Sequence, residues 1–216
     1  MAHPELDRLV EVMGVLRREC PWDARQTHRS LVQYLIEETA EVVEAIELPE
    51  AGTPAGQEHL REELGDLLLQ VVFHAELASE QPHGFTIEDV ARGFAGKLVA
   101  RHPYVFAGEE VPADLLGSWE QRKAAEKGRT SVLEGIPEQL SALARAHKII
   151  ARAENRQVPL GLPTEPVTAA ELGREVVALV ARAQASGVDP EQAVRDAVRT
   201  LEVQVRAVEA GPDGRR

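Results

Sequence analysis

Apolar residues recur at intervals of three and four along almost the whole chain, whereas the strict alternation of apolar and polar residues that marks strands hardly occurs. This periodicity predicts an all-α protein, a helical bundle. Proline and glycine clusters divide the periodic stretches into separate helices. We expect helices over about residues 6–19, 30–48, 57–79, 86–101, 112–127, 137–156, 168–186 and 190–209.

Several of these helices begin with capping signals. Thr86 with Asp89, and Thr168 with Glu171, have the spacing of a capping box, in which the first side chain and the third helical side chain bond each other's backbone N–H groups. Two single residues are predicted N-caps, namely Ser30 for the second helix and Asp189, which precedes a first-turn proline, for the last.

Composition divides the chain into residues 1–128 and residues 129–216, with Gly128 to Pro137 as the boundary region. The net charge is −12, and the first part carries all of it, with 24 acidic and 12 basic residues against 12 of each in the second. All eight aromatic residues also lie in the first part. We therefore expect the functional site in residues 1–128 and a helical appendage in residues 129–216.

The charge also limits the ligands that the protein can bind. An acidic surface opposes direct binding to nucleic acid or to an anionic membrane, because both need Lys and Arg to neutralise phosphates. A phosphate compound would therefore bind through a metal. The single cysteine, Cys20, fits a reducing compartment, and no apolar run approaches the roughly 18 residues that span a bilayer. We expect a cytoplasmic protein.

An acidic stretch between Glu37 and Asp66 contains ten carboxylates and one base, Arg61. Most such stretches are solvated helix faces, but the helical register of the second helix separates two of these acids from the rest. Glu38 falls near the middle of the apolar stripe of that helix, and Glu41 lies at its edge. A buried unpaired carboxylate is strongly penalised, so Glu38 needs a cation or a hydrogen-bond network.

The third predicted helix repeats this arrangement. Its middle is apolar all round, as expected of a helix buried on most sides, and Glu63 and Asp66 lie one turn earlier. Both acidic pairs have i,i+3 spacing, so two antiparallel helices would direct four carboxylates at one point. Oxygen ligands without His or Cys suit a hard cation such as Mg²⁺. A diiron site is disfavoured because the one Glu-x-x-His spacing, Glu80 to His83, contains a proline.

These residues form an ordered series of motifs that resembles the MazG family of nucleoside triphosphate pyrophosphohydrolases over about residues 5–127. The matching blocks are Cys20-Pro-Trp-Asp23, Gln26-Thr-His28, Tyr34-Leu-Ile-Glu-Glu38-Thr-Ala-Glu41, Arg61-Glu-Glu-Leu-Gly-Asp-Leu-Leu-Leu-Gln-Val-Val-Phe-His74, Lys97-Leu-Val-Ala-Arg-His-Pro-Tyr-Val-Phe106 and Trp119-Glu-x-x-Lys123.

The resemblance implies an all-α homodimer that hydrolyses nucleoside triphosphates to the monophosphate and pyrophosphate with Mg²⁺, two ions per site, and with Mn²⁺ as an alternative metal. It assigns metal binding to Glu38, Glu41, Glu63 and Asp66. Nucleotide contacts are expected from Tyr34, Glu37, Glu38, His59, Glu62, Lys97, Arg101 and Trp119. Either Glu37 or Glu62 would orient the attacking water beside the ligands Glu38 and Glu63, and these four glutamates form the predicted catalytic set.

The second part contains an eroded copy of the first. Glu171-Leu-Gly-Arg174 resembles Glu63-Leu-Gly-Asp66, but an arginine replaces the aspartate, and Thr200 and Gln204 stand where the first copy has Lys97 and Arg101. We expect residues 129–216 to be a degenerate, non-catalytic MazG-like repeat that serves dimerisation or packing.

Two alternatives stay open on sequence. One is a narrow dUTP or dCTP pyrophosphatase with the same metal motif, and the other is a nucleotide-sensing or partner-binding bundle without turnover. Three further side chains have two interpretations each. His28 and His74 fit either structural histidines or neighbours of the site, and Trp22 fits either a core anchor or a nucleotide contact.

Overall fold

A computed structural model describes residues 3–211 and confirms the all-α prediction, with no strand among these residues. No helix in this range is both long and apolar enough to cross a bilayer. A single turn of 3₁₀ helix covers Asp23–Arg25. The helices are α1 (Pro4–Glu19), α2 (Val32–Glu47), α3 (Pro54–Ser79), α4 (Ile87–Arg101), α5 (Pro103–Phe106), α6 (Leu115–Glu126), α7 (Ala142–Asn155), α8 (Ala169–Ala185) and α9 (Pro190–Ala210).

The chain forms two compact units, of which the first ends at Phe106 and the second begins at Ala107. This division lies earlier than the one that composition suggested at residue 128. Helix α6 belongs to the second unit, where Glu120 lies 3.6 Å from the guanidinium of Arg152 on α7. Net charge could not locate this boundary, because α6 carries two acidic and two basic residues and its charge therefore assigns it to neither part.

Three of the four predicted helix caps are present. Thr86 and Thr168 form capping boxes with Asp89 and Glu171, and Asp189 accepts a hydrogen bond from the backbone N–H of Gln192 at 3.0 Å. The prediction for Ser30 is wrong, because α2 begins at Val32 with Leu31 as its N-cap. The Ser30 hydroxyl instead donates to the side chain of Gln26, which stabilises the turn before the helix.

The first unit is built around α1, α2 and α3, and α2 packs on α3 across the short connection between them. Its core consists of Met13, Leu31, Val72, Phe73 and Leu77. These residues hold α2 and α3 side by side, so the acidic halves of the two helices also meet.

The outer faces of α2 and α3 correct two sequence-based predictions. Helix α3 is not buried on most sides, and Ile46, which the helical register assigns to the apolar stripe of α2 around Glu38, is exposed. Both helices instead carry a second apolar stripe that is exposed in this chain, because a periodicity pattern identifies apolar faces but not what covers them. We call this the outer apolar stripe, formed by Val32, Ile36 and Val43 on α2 and Leu64, Leu68 and Val71 on α3.

The second unit has its own core, in which α7 packs against α9. Three arginines, two on α7 and one at its C-cap, donate hydrogen bonds to backbone carbonyls of the irregular segment before the helix: Arg145 to Ile136 and Pro137, Arg152 to Val132 and Glu134, and Arg156 to Arg129. This segment replaces the start of the helix predicted from residue 137. Helix α8 contacts α9 and contributes no buried residue to the core.

Candidate metal centre

Three of the four predicted metal ligands converge between α2 and α3. One carboxylate oxygen from each of Glu38, Glu41 and Glu63 lies within 4.8 Å of the others. Glu38 and Glu41 are one turn apart on α2, so both point toward the same side, and Glu63 reaches them from α3. The helical register thus produces a three-oxygen cluster of the kind that binds a hard divalent cation.

The fourth carboxylate, Asp66, lies one turn after Glu63 and acts on the same cluster electrostatically. Burial raises the pKa of Glu38 above its ordinary value, and the negative charges of Asp66, Glu41 and Glu63 raise it further. Ionising Glu38 is therefore unfavourable in the absence of a cation. A divalent ion would remove this penalty, and the donor set, carboxylate oxygens alone, fits Mg²⁺.

The two basic side chains in this part of α3 pair with acids on their own helix. Arg61, the one base in the acidic stretch, forms an exposed ion pair with Glu58 on its own helix. His59 lies beside the cluster, with Nδ1 3.3 Å from a carboxylate oxygen of Glu63. Glu37 and Glu62, the two candidates for orienting water, are exposed next to the ligands in the chain.

The predicted phosphate-binding cations lie on another helix of the same unit. Lys97 and Arg101 are half-buried and one turn apart on α4, which packs against α3. Trp119 belongs to α6 and therefore to the second unit, where the ammonium of Lys123 lies 4.6 Å from its ring centroid. The first unit thus contains every predicted site residue except Trp119.

The structure shows the partners of the three side chains that have two interpretations on sequence, Trp22, His28 and His74. Tyr34 lies one turn before Glu38 on α2, and the indole of Trp22 packs edge-on against it with ring centroids 5.7 Å apart. The imidazoles of His28 and His74 lie in parallel planes, and their Nδ1 atoms are 2.8 Å apart. One of these nitrogens must carry the hydrogen that the other accepts. The sequence could not pair these histidines, because they are far apart in the chain.

The histidine pair predicts a pH-dependent stability. Burial and the neighbouring His28 lower the pKa of His74 below its ordinary value, so the unfolded chain takes up a proton more readily than the folded protein. The stabilisation is fully present above about pH 6.5, the pKa in the unfolded chain, and is lost as the pH falls through the folded pKa. We expect urea denaturation to show a larger loss of stability from pH 7.5 to 5.5 in the wild type than in His74→Gln. Equal losses would contradict this assignment.

Comparison of the sequence with known proteins relates this chain to a protein family. Residues 26–106 match the MazG nucleotide pyrophosphohydrolase domain. The chain is 45% identical over 205 residues to an uncharacterized 26.1 kDa protein of Streptomyces cacaoi, a match that covers 93% of this chain and 81% of that protein.

Two longer relatives are named after an enzymatic activity. A nucleoside triphosphate pyrophosphohydrolase of Mycolicibacterium smegmatis is 41% identical over 212 residues, which cover 94% of this chain and 60% of the relative. One of Escherichia coli K12 is 42% identical over 159 residues, 70% of this chain and 58% of the relative. The chain therefore spans somewhat more than half the length of these two relatives. The domain match, the identities and the carboxylate cluster together show that the chain belongs to the MazG nucleotide pyrophosphohydrolase family.

Proposed function

We propose that this chain hydrolyses nucleoside triphosphates to the nucleoside monophosphate and pyrophosphate, with Mg²⁺ as its metal. The observation that carries this proposal is the convergence of Glu38, Glu41 and Glu63 within 4.8 Å. It agrees with the name of the relatives from Mycolicibacterium smegmatis and Escherichia coli, both called nucleoside triphosphate pyrophosphohydrolase. The proposed location is the cytoplasm, in keeping with the single unpaired cysteine.

Each part of the proposed site has a separate task. Glu38, Glu41, Glu63 and Asp66 would hold two Mg²⁺ ions, or Mn²⁺ in their place. Magnesium, when bound, would lower the pKa of a coordinated water molecule and neutralise charge on the phosphates. Glu37 or Glu62 orients the water toward the phosphorus at the α,β-bridge. Lys97 and Arg101 neutralise phosphate oxygens, and Tyr34 and His59 complete the nucleotide contacts proposed for the first unit.

A pyrophosphate-release assay over the eight common ribo- and deoxyribonucleoside triphosphates tests this proposal. We expect release with Mg²⁺ or Mn²⁺ and none in the presence of a chelator. Release from most of the eight indicates a broad enzyme, whereas release from dUTP or dCTP alone indicates a narrow one. A folded protein that binds nucleotide but releases no pyrophosphate from any of them would contradict the proposal.

We further propose that the second unit has no catalytic centre of its own. In the aligned repeat Arg174 replaces Asp66, so a negative ligand becomes a positive charge. Glu171, which aligns with the ligand Glu63, is engaged at the start of α8, where it accepts hydrogen bonds from the backbone N–H and hydroxyl of Thr168. The proposed role of the second unit is packing or dimerisation.

We also propose that the protein is a homodimer that buries the outer apolar stripe of α2 and α3. The stripe includes Ile36, which is 65% exposed, and Leu64, which is 48% exposed. Contiguous exposed apolar surface of this kind is typical of protein interfaces. A second copy is the proposed partner, in line with the homodimer that the family resemblance implies.

Sedimentation velocity tests the dimer. We expect the wild type to sediment as a dimer and Ile36→Asp as a folded monomer, because a buried unpaired carboxylate would destabilise the interface. Gln33→Asp is the matched control, since it adds the same charge to an exposed position of α2 outside the stripe. A wild-type monomer, or an Ile36→Asp variant that stays dimeric, would contradict this use of the stripe.

A further inference from the structure

Trp22 is a large aromatic side chain that the fold does not fully bury. The residue is 44% exposed, although tryptophan is highly buried on average in folded proteins. It packs against Tyr34 at 5.7 Å and against Phe73 at 6.5 Å between ring centroids. These contacts hold the ring in place, and a substantial part of its surface still faces solvent.

The loop that carries Trp22 is held by Arg17, a half-buried residue of α1. The guanidinium of Arg17 donates hydrogen bonds to the backbone carbonyls of Asp23 and Gln26, at 2.5 and 3.2 Å, and to the carboxylate of Glu80, with the Nε bond 2.6 Å long. The Gln26 amide in turn donates to the backbone carbonyl of Trp22 at 3.0 Å. A side chain held in this way loses little freedom when it binds a ligand, so its exposed face is preorganised.

The position of this ring fits a nucleotide whose phosphates lie at the carboxylate cluster. Tyr34 is one helical turn from Glu38, which is about 6 Å along the axis of α2. Trp22 packs against Tyr34, so the indole and the cluster are on the order of 10 Å apart. The ribose and base of a nucleotide bound by its phosphates at the cluster extend over a comparable span.

We propose that Trp22 is the base-stacking residue of the site. This inference rests on the proposed function, because it places the base of a substrate whose phosphates bind at Glu38, Glu41 and Glu63. Stacking on an indole tolerates every base, since each has a flat aromatic face. The contact with Trp22 therefore selects for a planar aromatic group and gives no preference among the common bases. Trp119 differs from Trp22 in its surroundings, because the ammonium of Lys123 lies 4.6 Å from its ring centroid.

Fluorescence tests this assignment directly, because the chain has only two tryptophans. Subtracting the emission of the Trp22→Phe variant, in which Trp119 is the only indole, from that of the wild type isolates the emission of Trp22. With Mg²⁺ present, we expect α,β-methylene analogues of purine and pyrimidine triphosphates to quench its emission. Inorganic tripolyphosphate, which has no base, should compete with them without quenching. Analogues that bind by calorimetry but leave the emission unchanged would overturn the inference.

Kinetics provides the second test. Trp22→Ala should raise KM for all common nucleoside triphosphates by about 10- to 100-fold while kcat changes by less than about threefold. Trp22→Phe, which preserves the contacts with Tyr34 and Phe73, should recover most of the loss. The inhibition constant of tripolyphosphate should stay unchanged in both variants. A rise in that constant would assign Trp22 a structural role and overturn the inference.

The two proposals fail in different ways. If the wild type releases no pyrophosphate, the proposed function is wrong, and the fluorescence titration still decides whether a base reaches Trp22. If the wild type is active and both Trp22 variants keep the wild-type KM, only the stacking assignment is wrong.

Discussion

Glutamine in place of Glu38 is expected to reduce kcat for pyrophosphate release by about 10²- to 10³-fold, the loss typical of removing one charged or polar group that stabilises a transition state. Glu38 is the carboxylate whose pKa responds to the other three, Asp66, Glu41 and Glu63, so it lies at the electrostatic centre of the cluster. The amide preserves the size of the side chain but removes the charge that binds a hard cation.

The same substitution should stabilise the metal-free protein. Burial and the three neighbouring charges disfavour the ionised form of Glu38, so a neutral side chain removes repulsion from the folded state. We expect Glu38→Gln to raise the Tm in a chelator and to lose most of the rise in Tm that Mg²⁺ gives the wild type. Opposite effects on stability and activity separate a ligand from a residue that merely supports the fold.

Glu44→Gln is the matched control, because Glu44 is an exposed carboxylate on the same helix outside the cluster. It should change neither kcat nor the Mg²⁺-dependent shift in Tm. If Glu38→Gln retains the wild-type kcat and the wild-type response to Mg²⁺, Glu38 is not a metal ligand.

The largest expected effect on stability comes from Glu202 in the second unit. Its carboxylate accepts a hydrogen bond of 2.8 Å from Nε of Arg145 and lies 2.6 Å from Nη2 of the same guanidinium, and both side chains are largely buried. Glu202→Ala leaves the charge of Arg145 without its carboxylate partner, and breaking such a pair is expected to cost about 3 kcal/mol. Arg145 also holds the carbonyls of Ile136 and Pro137, so loosening it exposes the core beneath that segment.

Urea denaturation followed by circular dichroism measures this loss, with Asp196→Ala as the control. Asp196 pairs with Arg199 on the surface of the same helix, and an exposed pair is worth less than about 1 kcal/mol. Below the unfolding transition, Glu202→Ala should keep the wild-type kcat, since the second unit is proposed to lack a catalytic centre. Equal losses of stability in the two variants would contradict the buried-pair account.

The fold and the carboxylate cluster could be predicted because both follow from helical geometry. The i,i+3 spacing places Glu38 with Glu41 and Glu63 with Asp66 wherever these stretches are helical. The short connection from α2 to α3 then requires the two helices to be neighbours. Capping boxes at Thr86 and Thr168 were equally predictable, since each depends on residues three positions apart.

Features that depend on tertiary packing could not be predicted in this way. Ser30 has a side chain suited to capping, but its hydroxyl bonds Gln26 within a turn, and a propensity cannot decide between the two uses. The exposed residues Leu64, Leu68 and Val71 on α3 are apolar, as the residues of a buried helix face would be. The hydrogen bond from Arg17 to Glu80 joins distant parts of the chain, and so does the contact between His28 and His74. No local spacing in the sequence therefore indicates either contact.

The central claim, that this cluster cleaves between the α- and β-phosphorus atoms, is tested most directly by identifying the products. Incubation of ATP with the wild type and Mg²⁺, followed by phosphorus NMR, should give AMP and pyrophosphate in equal amounts. Glu38→Gln under the same conditions should leave the ATP intact. Appearance of ADP and orthophosphate, or of equal product from the Glu38→Gln variant, would contradict the assignment of this site.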